Sequence, residues 1–599
     1  MFLKFARDQR GNYAIITALA MLPILGAVTI AVDYSEVSRQ RQVAQNALDA
    51  TSLAIALSYL DGTAESQVRT FAQDYFEANF KPSDTADPQV SVTLPTGSGG
   101  GGTLKTCADL KYPPYFWPAV KMLSGDDGDT TIHYSICSEV RLKNTLEVAL
   151  VLDNSGSMDY RGFGSGSKRI DLLKDASKQL VETLAGQAGL IQQIDKPVQF
   201  GLVPFAASVN IGPQYADAWW MDTDGLSPVH HENFEWTTMK GWNKNKGVEQ
   251  DDMGIYRKNG RAWNREEGEK VTRFTLFDNQ HHIRWGGCVE ARPYPHNVEG
   301  TVPTRSDPVT LFVPMFAPDE TDKKDGNRPA NNNWLADKIN ESDRPSSRER
   351  QEYMPKYFNE QAASAAREVG KGPNLSCTTA PITPLTDVTE ADGLEAIKAA
   401  IDAMWPLGST NVPQGIEWGW HVISSAVPFT EGRDDNNKGN DKVVIVLTDG
   451  ANTYYTPESI RAEEYSGSGW QSGGNDLAEN RSIYSAYGYA HERRIFAGTR
   501  VSGFNNGRYS EAMNEHMLEL CQTAKDENVI LMTVSLDLDR NKRDEREQIE
   551  ALEECASESR FRTDGNGNAI KLFWNTRGDE LSETFKEIAD ELSNLRLVS

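Results

Sequence analysis

Residues Thr145 to Ser157 read TLEVALVLDNSGS, and this stretch decides the fold. From Leu146 to Leu152 the run is apolar, apart from Glu147, and does not alternate. That is the signature of a strand covered on both faces. It stops at Asp153-Asn154-Ser155-Gly156-Ser157, a run of turn formers. Working outward, Arg169 to Gly186 is amphipathic, with Ile170, Leu173, Ser177, Leu180 and Leu184 on one stripe. The strand signature returns in VQFGLVPFAASV (198–209), KVVIVLTDG (442–450) and NVILMTVSL (528–536). Leu394, Ile397, Ile401 and Met404 mark another helix. A last helix carries Leu581, Phe585, Ile588, Leu592 and Leu595 at spacings of four, three, four and three. Alternation of this kind predicts an α/β fold, a doubly wound and mostly parallel sheet.

In such sheets ligands bind beyond the carboxyl ends of the strands. Asp153, Ser155 and Ser157 stand at one strand end, and Asp449 ends KVVIVLT. Thr410 lies in Gly408-Ser409-Thr410-Asn411 after the 394–404 helix. These five residues form an all-oxygen donor set with only two carboxylates. Hard divalent cations take oxygen ligands, so the expected metal is Mg²⁺, with Mn²⁺ an alternative. Neutral hydroxyl donors leave the cation Lewis-acidic enough to take a partner's carboxylate as its last ligand. The competing reading is an Asp/Ser turn that merely caps the next helix.

Far upstream, Tyr13 to Val32 runs twenty residues without a charge, enough as a helix to cross a bilayer core. Lys4, Arg7, Asp8 and Arg10 precede it, and Asp33 and Glu36 follow. The positive flank predicts a cytoplasmic N-terminus and an exported remainder. Pro23 is tolerable inside such a span. A cleaved signal peptide would have a shorter apolar core and small residues at a cleavage site. A prepilin leader cut after Gly11 would want Glu at position 16, where Ile16 stands. Residues 33–60 continue as helix, with Val37, Ala44, Leu48, Thr51 and Ile55 on one face. A second helical stretch covers Glu65 to Phe80, and QVSVTLP and TTIHYSICSEVRL read as hairpin strands.

Six cysteines follow the apolar span, as expected of disulfides in an oxidising compartment. Fifteen pairings are open. The sequential set, Cys107–Cys137, Cys288–Cys377 and Cys521–Cys555, keeps each bridge inside one structural unit. Free buried thiols are the alternative. The domain reading is a cytoplasmic tip and transmembrane helix at 1–32, a small α+β membrane-proximal domain at 33–144, and the α/β domain at 145–599. That last domain carries insertions at about 210–381 and 453–511. The larger insertion lacks periodicity and holds seven of the thirteen tryptophans: Trp219, Trp220, Trp236, Trp242, Trp263, Trp285 and Trp334. Either they form a folded core or they present a contact surface.

Smaller motifs have plain readings. Gly97 to Gly102 matches GxGxxG but opens no helix, so it is a flexible turn. Asp564 to Asn568 starts like a calcium loop but lacks its later glycine and glutamate, so it is a tight turn. His230-His231-Glu232 and His281-His282 read as surface histidines. Neither GxSxG nor a P-loop is present. The net charge of −25 disfavours a nucleic-acid partner.

DNSGS, the separated GST and the strand-end TDG resemble the metal-ion-dependent adhesion site of von Willebrand factor A domains. The N-terminal RGNYAIITALAMLPILGAVTIAVDYSEV and LDATSLAIAL, with VPFAASVNIG, WGGCVEAR, CTTAPITPLT and LGSTNVPQGIEWGW, resemble TadG-like Flp pilus-assembly proteins. That resemblance implies a single-pass protein of the bacterial inner membrane with its C-terminal part in the periplasm. It implies a non-enzymatic assembly or adhesion role in a tight-adherence system. The partner would be a machinery protein or pilin held through an acidic residue, with no small-molecule substrate. A metal-dependent hydrolase and a passive tether stabilised by its metal are the alternatives.

Overall fold

The computed structural model describes residues 12–60, 65–80, 88–94, 102–118, 129–142, 145–188, 195–242, 245–322, 330, 332–337, 346–435, 440–454 and 476–595. Two compact units emerge, one built mainly on residues 1–144 and the other on 145–189 with 196–595.

In the first unit, α1 (Asn12–Leu60) is one uninterrupted helix. The segment from Ile16 onward is long and apolar enough to cross a membrane. Its exposed apolar surface gives way to a buried stripe after Gln40, where Ala44, Leu48, Thr51 and Ile55 pack inward. α2 (Glu65–Asn79) adds Val68, Ala72 and Phe76. Both helices lie on an antiparallel meander of β1 (Gln89–Thr93), β2 (Gly102–Tyr112) and β3 (Ile132–Leu142). Leu104, Thr106, Ala108, Leu110 and Tyr112 of β2 are buried, a period of two that the adjacent glycines masked in the sequence. Cys107 faces Cys137 in register, and the two form a disulfide. Residues 97–101 of the glycine tract lie outside the described residues; Gly102 already belongs to β2.

The second unit is built around six strands: β4 (Thr145–Asp153), β5 (Val198–Phe205), β6 (Thr383–Asp387), β7 (Asn440–Thr448), β8 (Ile530–Leu536) and β9 (Phe573–Thr576). Their order is β9-β8-β7-β4-β5-β6, parallel except for β6 at the edge. Every residue of β4 is buried. Leu146, Val148, Leu150 and Leu152 face α3 (Arg169–Ala188), α4 (Ala391–Asp402) and α8 (Leu581–Leu595). Ala149 and Val151 face α5 (Val412–Ile423), α6 (Asn506–Asp526) and α7 (Arg543–Cys555). Two covered faces explain why the strand sequences do not alternate in polarity. Each Leu or Ile so buried contributes roughly 2 kcal/mol. α5 sits close because Gly415 and Gly419 lack side chains; a Cβ at Gly419 would stand 2.5 Å from Val151.

The larger insertion is a folded body, and its tryptophans answer the question left open above. Trp220, Trp236, Trp263, Trp285 and Trp334 are buried in the core that also covers one sheet face, while Trp219 is exposed. The contact-surface reading therefore gives way to core for these five. The histidine reading holds for His281 and His282, which are exposed, and is corrected at His230. His230 is fully buried, because Asp222 takes its Nδ1 at 2.9 Å and its Nε2 accepts the Arg273 N–H. The described residues of the smaller insertion, from 476 on, pack on the larger one. Ile483, Tyr484 and Tyr489 pack with Cys288, Met315, Leu375 and Cys377 of the larger one. The bridges Cys288–Cys377 and Cys521–Cys555 are formed, so all six cysteines are paired. Asp564 accepts from the N–H groups of Asn566 and Asn568, a tight turn between two short strands.

Candidate metal centre

β4 ends by delivering Asp153 to the carboxyl edge of the sheet, fully buried. Its Oδ1 accepts the Ser155 N–H at 2.7 Å, which curls the chain into the DNSGS turn. Its Oδ2 accepts from Thr448 Oγ1 at 2.6 Å, the last residue of the neighbouring β7. The turn places the Ser155 and Ser157 hydroxyls 3.0 Å apart. Ser157 Oγ donates to Asp449 Oδ1 at 2.6 Å. The 408–411 loop is tied to this turn by the Gly156 N–H donating to the Gly408 carbonyl at 2.8 Å. Gly408 has φ of 103°, a backbone that favours glycine. Asn411 then caps α5 by accepting the Gln414 N–H.

All five sequence-selected residues are thus brought to one place. Ser155, Ser157, Thr410 and Asp449 line an open cleft of about 440 Å³ together with Tyr160, Arg169, Thr453, Lys542, Asp544 and Glu545. Asp153 lies beneath it. A Cβ built at Gly450 would stand 3.4 Å from Thr410 Oγ1 and 3.7 Å from Ser157 Oγ. The glycine therefore leaves a small cradle between two hydroxyl donors.

Burial perturbs both carboxylates. Burial pushes the Asp153 carboxyl up to about 7, and the negative charge of Asp449 adds to the shift. Burial also raises Asp449, against the opposing pull of Arg169. Among the described residues no group of three or more His, Cys, Asp or Glu clusters as a metal site. The donors fit instead a hard, oxygen-loving cation that keeps water among its ligands, as Mg²⁺ does.

Sequence reasoning missed two residues. Arg169 Nη1 donates to Asp449 Oδ2 at 2.8 Å, and its Nε donates to Asp537 Oδ2 at 3.0 Å. Burial would lower the guanidinium, but Asp449 and Asp537 raise it. Asp537 follows β8 as Asp449 follows β7, so the strand-end rule reaches it. It also accepts the N–H groups of Phe163 and Gly578.

Residues 11–56 match the family model Tad, described as "Putative Flp pilus-assembly TadE/G-like". A 147-residue stretch is 25% identical to the 33 kDa chaperonin of Bacillus velezensis, covering 24% of this chain and 46% of that protein. The chain thus spans less than half the length of that curated relative. Among solved structures, the pilus adhesin SpaC of Lactobacillus rhamnosus GG aligns at 12% identity and a TM-score of 0.31, over 86% of this chain and 36% of SpaC. The vWF domain of the type V pili tip protein Mfa5 of Porphyromonas gingivalis aligns at 10% identity and a TM-score of 0.29, over 76% and 98%. The PilB minor pilin of Streptococcus sanguinis aligns at 11% and 0.30, over 87% and 81%.

Proposed function

We propose that the chain is a membrane-anchored assembly or adhesion protein of a Flp pilus system, held in the bacterial inner membrane by α1. Its N-terminus lies in the cytoplasm and its larger unit is a periplasmic von Willebrand A-type domain. The observation that carries the metal reading is the convergence of the buried Asp449 carboxylate and three hydroxyls on one open cleft, with the buried Asp153 carboxylate bound to the Ser155 N–H of the same turn. Asp153, Ser155, Ser157, Thr410 and Asp449 would hold Mg²⁺ or Mn²⁺ there. A bound divalent ion would supply a Lewis-acidic position for a partner's carboxylate. The chain's own part is to hold the donors: Thr448 and the Ser155 N–H fix Asp153, while Arg169 fixes one oxygen of Asp449 and leaves the other toward Ser157. The partner is a pilin or machinery protein presenting an acidic side chain at a surface site, where binding geometry rather than turnover is the product.

Asp153→Ala in the full chain tests this. Mn²⁺ titration should show at least about a hundredfold weaker binding, because the buried anionic ligand is gone. Export and near-ultraviolet circular dichroism should persist, while pilus output falls. Normal pili from cells carrying the variant would end the clasping reading. Loss of the fold would favour a metal that only stabilises a tether. Phosphoester turnover by the wild-type chain, abolished in the variant, would favour a hydrolase.

A further inference from the structure

Asp33 is the first charged residue after the uncharged run of α1, and it is only 6% exposed although Ile30, Val32 and Tyr34 around it lie open. The segment after β2 covers it: Pro113-Pro114-Tyr115-Phe116-Trp117-Pro118. Asp33 Oδ1 accepts the Tyr115 N–H at 2.9 Å, and Oδ2 accepts the Trp117 N–H at 2.8 Å. The Phe116 N–H is shared between them, at 3.3 and 3.1 Å. One carboxylate thus gathers three consecutive backbone donors, which charge-assisted hydrogen bonds hold firmly.

Gathering the backbone inward leaves the side chains outside. Tyr115 is 57% exposed, Phe116 45% and Trp117 37%. Three adjacent large aromatics standing in water forfeit several kcal/mol of available burial. Prolines on both sides restrict the backbone that carries them. Because α1 is an unbroken helix rising about 1.5 Å per residue, the tie sets this triplet level with the residue that ends the apolar run. Trp and Tyr partition to that depth of a bilayer, with the ring among headgroups and the polar atom wet.

We propose that Tyr115, Phe116 and Trp117 form an interfacial anchor that enters the phospholipid headgroup layer where α1 leaves the bilayer, and that Asp33 is its positioning residue. The inference rests on reading α1 as a membrane span. A single helix is free to tilt and to rotate about its axis in lipid, and anchors at the interface restrict both motions. A second contact, tied to one face of α1, fixes which side of the helix faces the membrane surface.

The test uses the full chain reconstituted in phosphatidylethanolamine and phosphatidylglycerol vesicles. Some vesicles contain lipids brominated near the headgroup end of the acyl chain, others near its methyl end. Subtracting Trp117→Phe from wild type isolates the Trp117 emission. The shallow bromines should quench it more than the deep ones. Asp33→Ala should remove most of that quenching while the chain still floats with the vesicles and resists alkaline extraction. A chain that stays integrated yet shows no Trp117 quenching overturns the anchor alone, and so does quenching that Asp33→Ala leaves unchanged. A chain that alkaline carbonate strips from the vesicles overturns the membrane span, and the anchor with it.

Discussion

The strand-end cleft and the larger insertion both bury acidic side chains, and they treat them differently. In the insertion, cations of the chain itself answer most of the buried charge. Glu290 lies between Arg273 and Arg494, and Asp319 faces Lys356 at 2.7 Å. Burial alone would raise the Glu290 carboxyl, yet the two arginines hold it below the usual range. In the cleft, Asp153 has hydroxyl and backbone donors but no cation among the described residues, and Arg169 pairs with Asp449 and Asp537 instead. Burial is the same and compensation is not. A buried charge answered from within is architecture; one left to hydroxyls and an open cleft is set for a ligand from outside.

Arg273→Met should break the insertion most. The guanidinium also donates to the carbonyls of Val229, His230 and Pro314, so its loss strands several acceptors as well as Glu290. Breaking a buried pair costs about 3–5 kcal/mol, and Arg494 still holds Glu290, so the lower end is expected. Urea midpoints of the full chain measure it. Asp153→Asn in chelator, by contrast, should leave stability unchanged or raise it, since no cation loses its partner. Equal losses at the two places would erase the contrast.

Glu320 marks where the insertion departs from its own pattern. Among the described residues its partners are the Asn332 N–H and the Tyr489 hydroxyl, neither a cation, and Asp476 and Asp319 lie near. Burial raises its carboxyl to about 7. A folded-state pKa above the unfolded value means the native state binds the proton better. Stability should therefore rise as pH falls from about 8 to about 5, by roughly 3 kcal/mol from this group. Asp319, raised to about 6 by burial, adds a slope of the same sign. Glu320→Gln should flatten the urea-midpoint profile relative to wild type over that range. An unchanged profile would mean that Glu320 is ionised in the fold.

Why the cleft was legible in the sequence and the insertion was not follows from the same difference. Asp153, Asp449 and Thr410 sit in short motifs at places the strand and helix pattern already assigns, so their meeting follows from topology. The core of the insertion is assembled from distant short segments. Phe234, Phe277, Phe316 and Tyr357 meet edge to face, and Tyr484 of the second insertion reaches Glu290 of the first. Contacts over such separations leave no period along the chain, so its tryptophans read equally as core or contact surface and His230 as a surface residue. β6 was missed for a related reason: its TPLTD is short, polar and at a sheet edge, where only one side needs a partner.

Arg169→Gln sharpens the comparison with the smallest effect, because among the described residues this is the one cation paired with either of the candidate ligands Asp153 and Asp449. Two consequences should separate. Asp449 and Asp537 lose their shared partner, lowering stability by about 1–2 kcal/mol, since the side chain is only partly shielded and water can take up some of its role. The site also becomes more negative by one charge a few ångströms from the donors. With water filling the open cleft, at a dielectric of about 80 and a separation of about 6 Å, this is worth about 1.4 kcal/mol toward a divalent cation, or roughly a tenfold gain in Mn²⁺ affinity. Tighter metal binding in a less stable protein is the outcome expected if Arg169 tempers the charge of the cleft. Weaker binding would instead make it the residue that aims Asp449. The cleft would then resemble the insertion, with its acidic groups set in place by the chain's own cations.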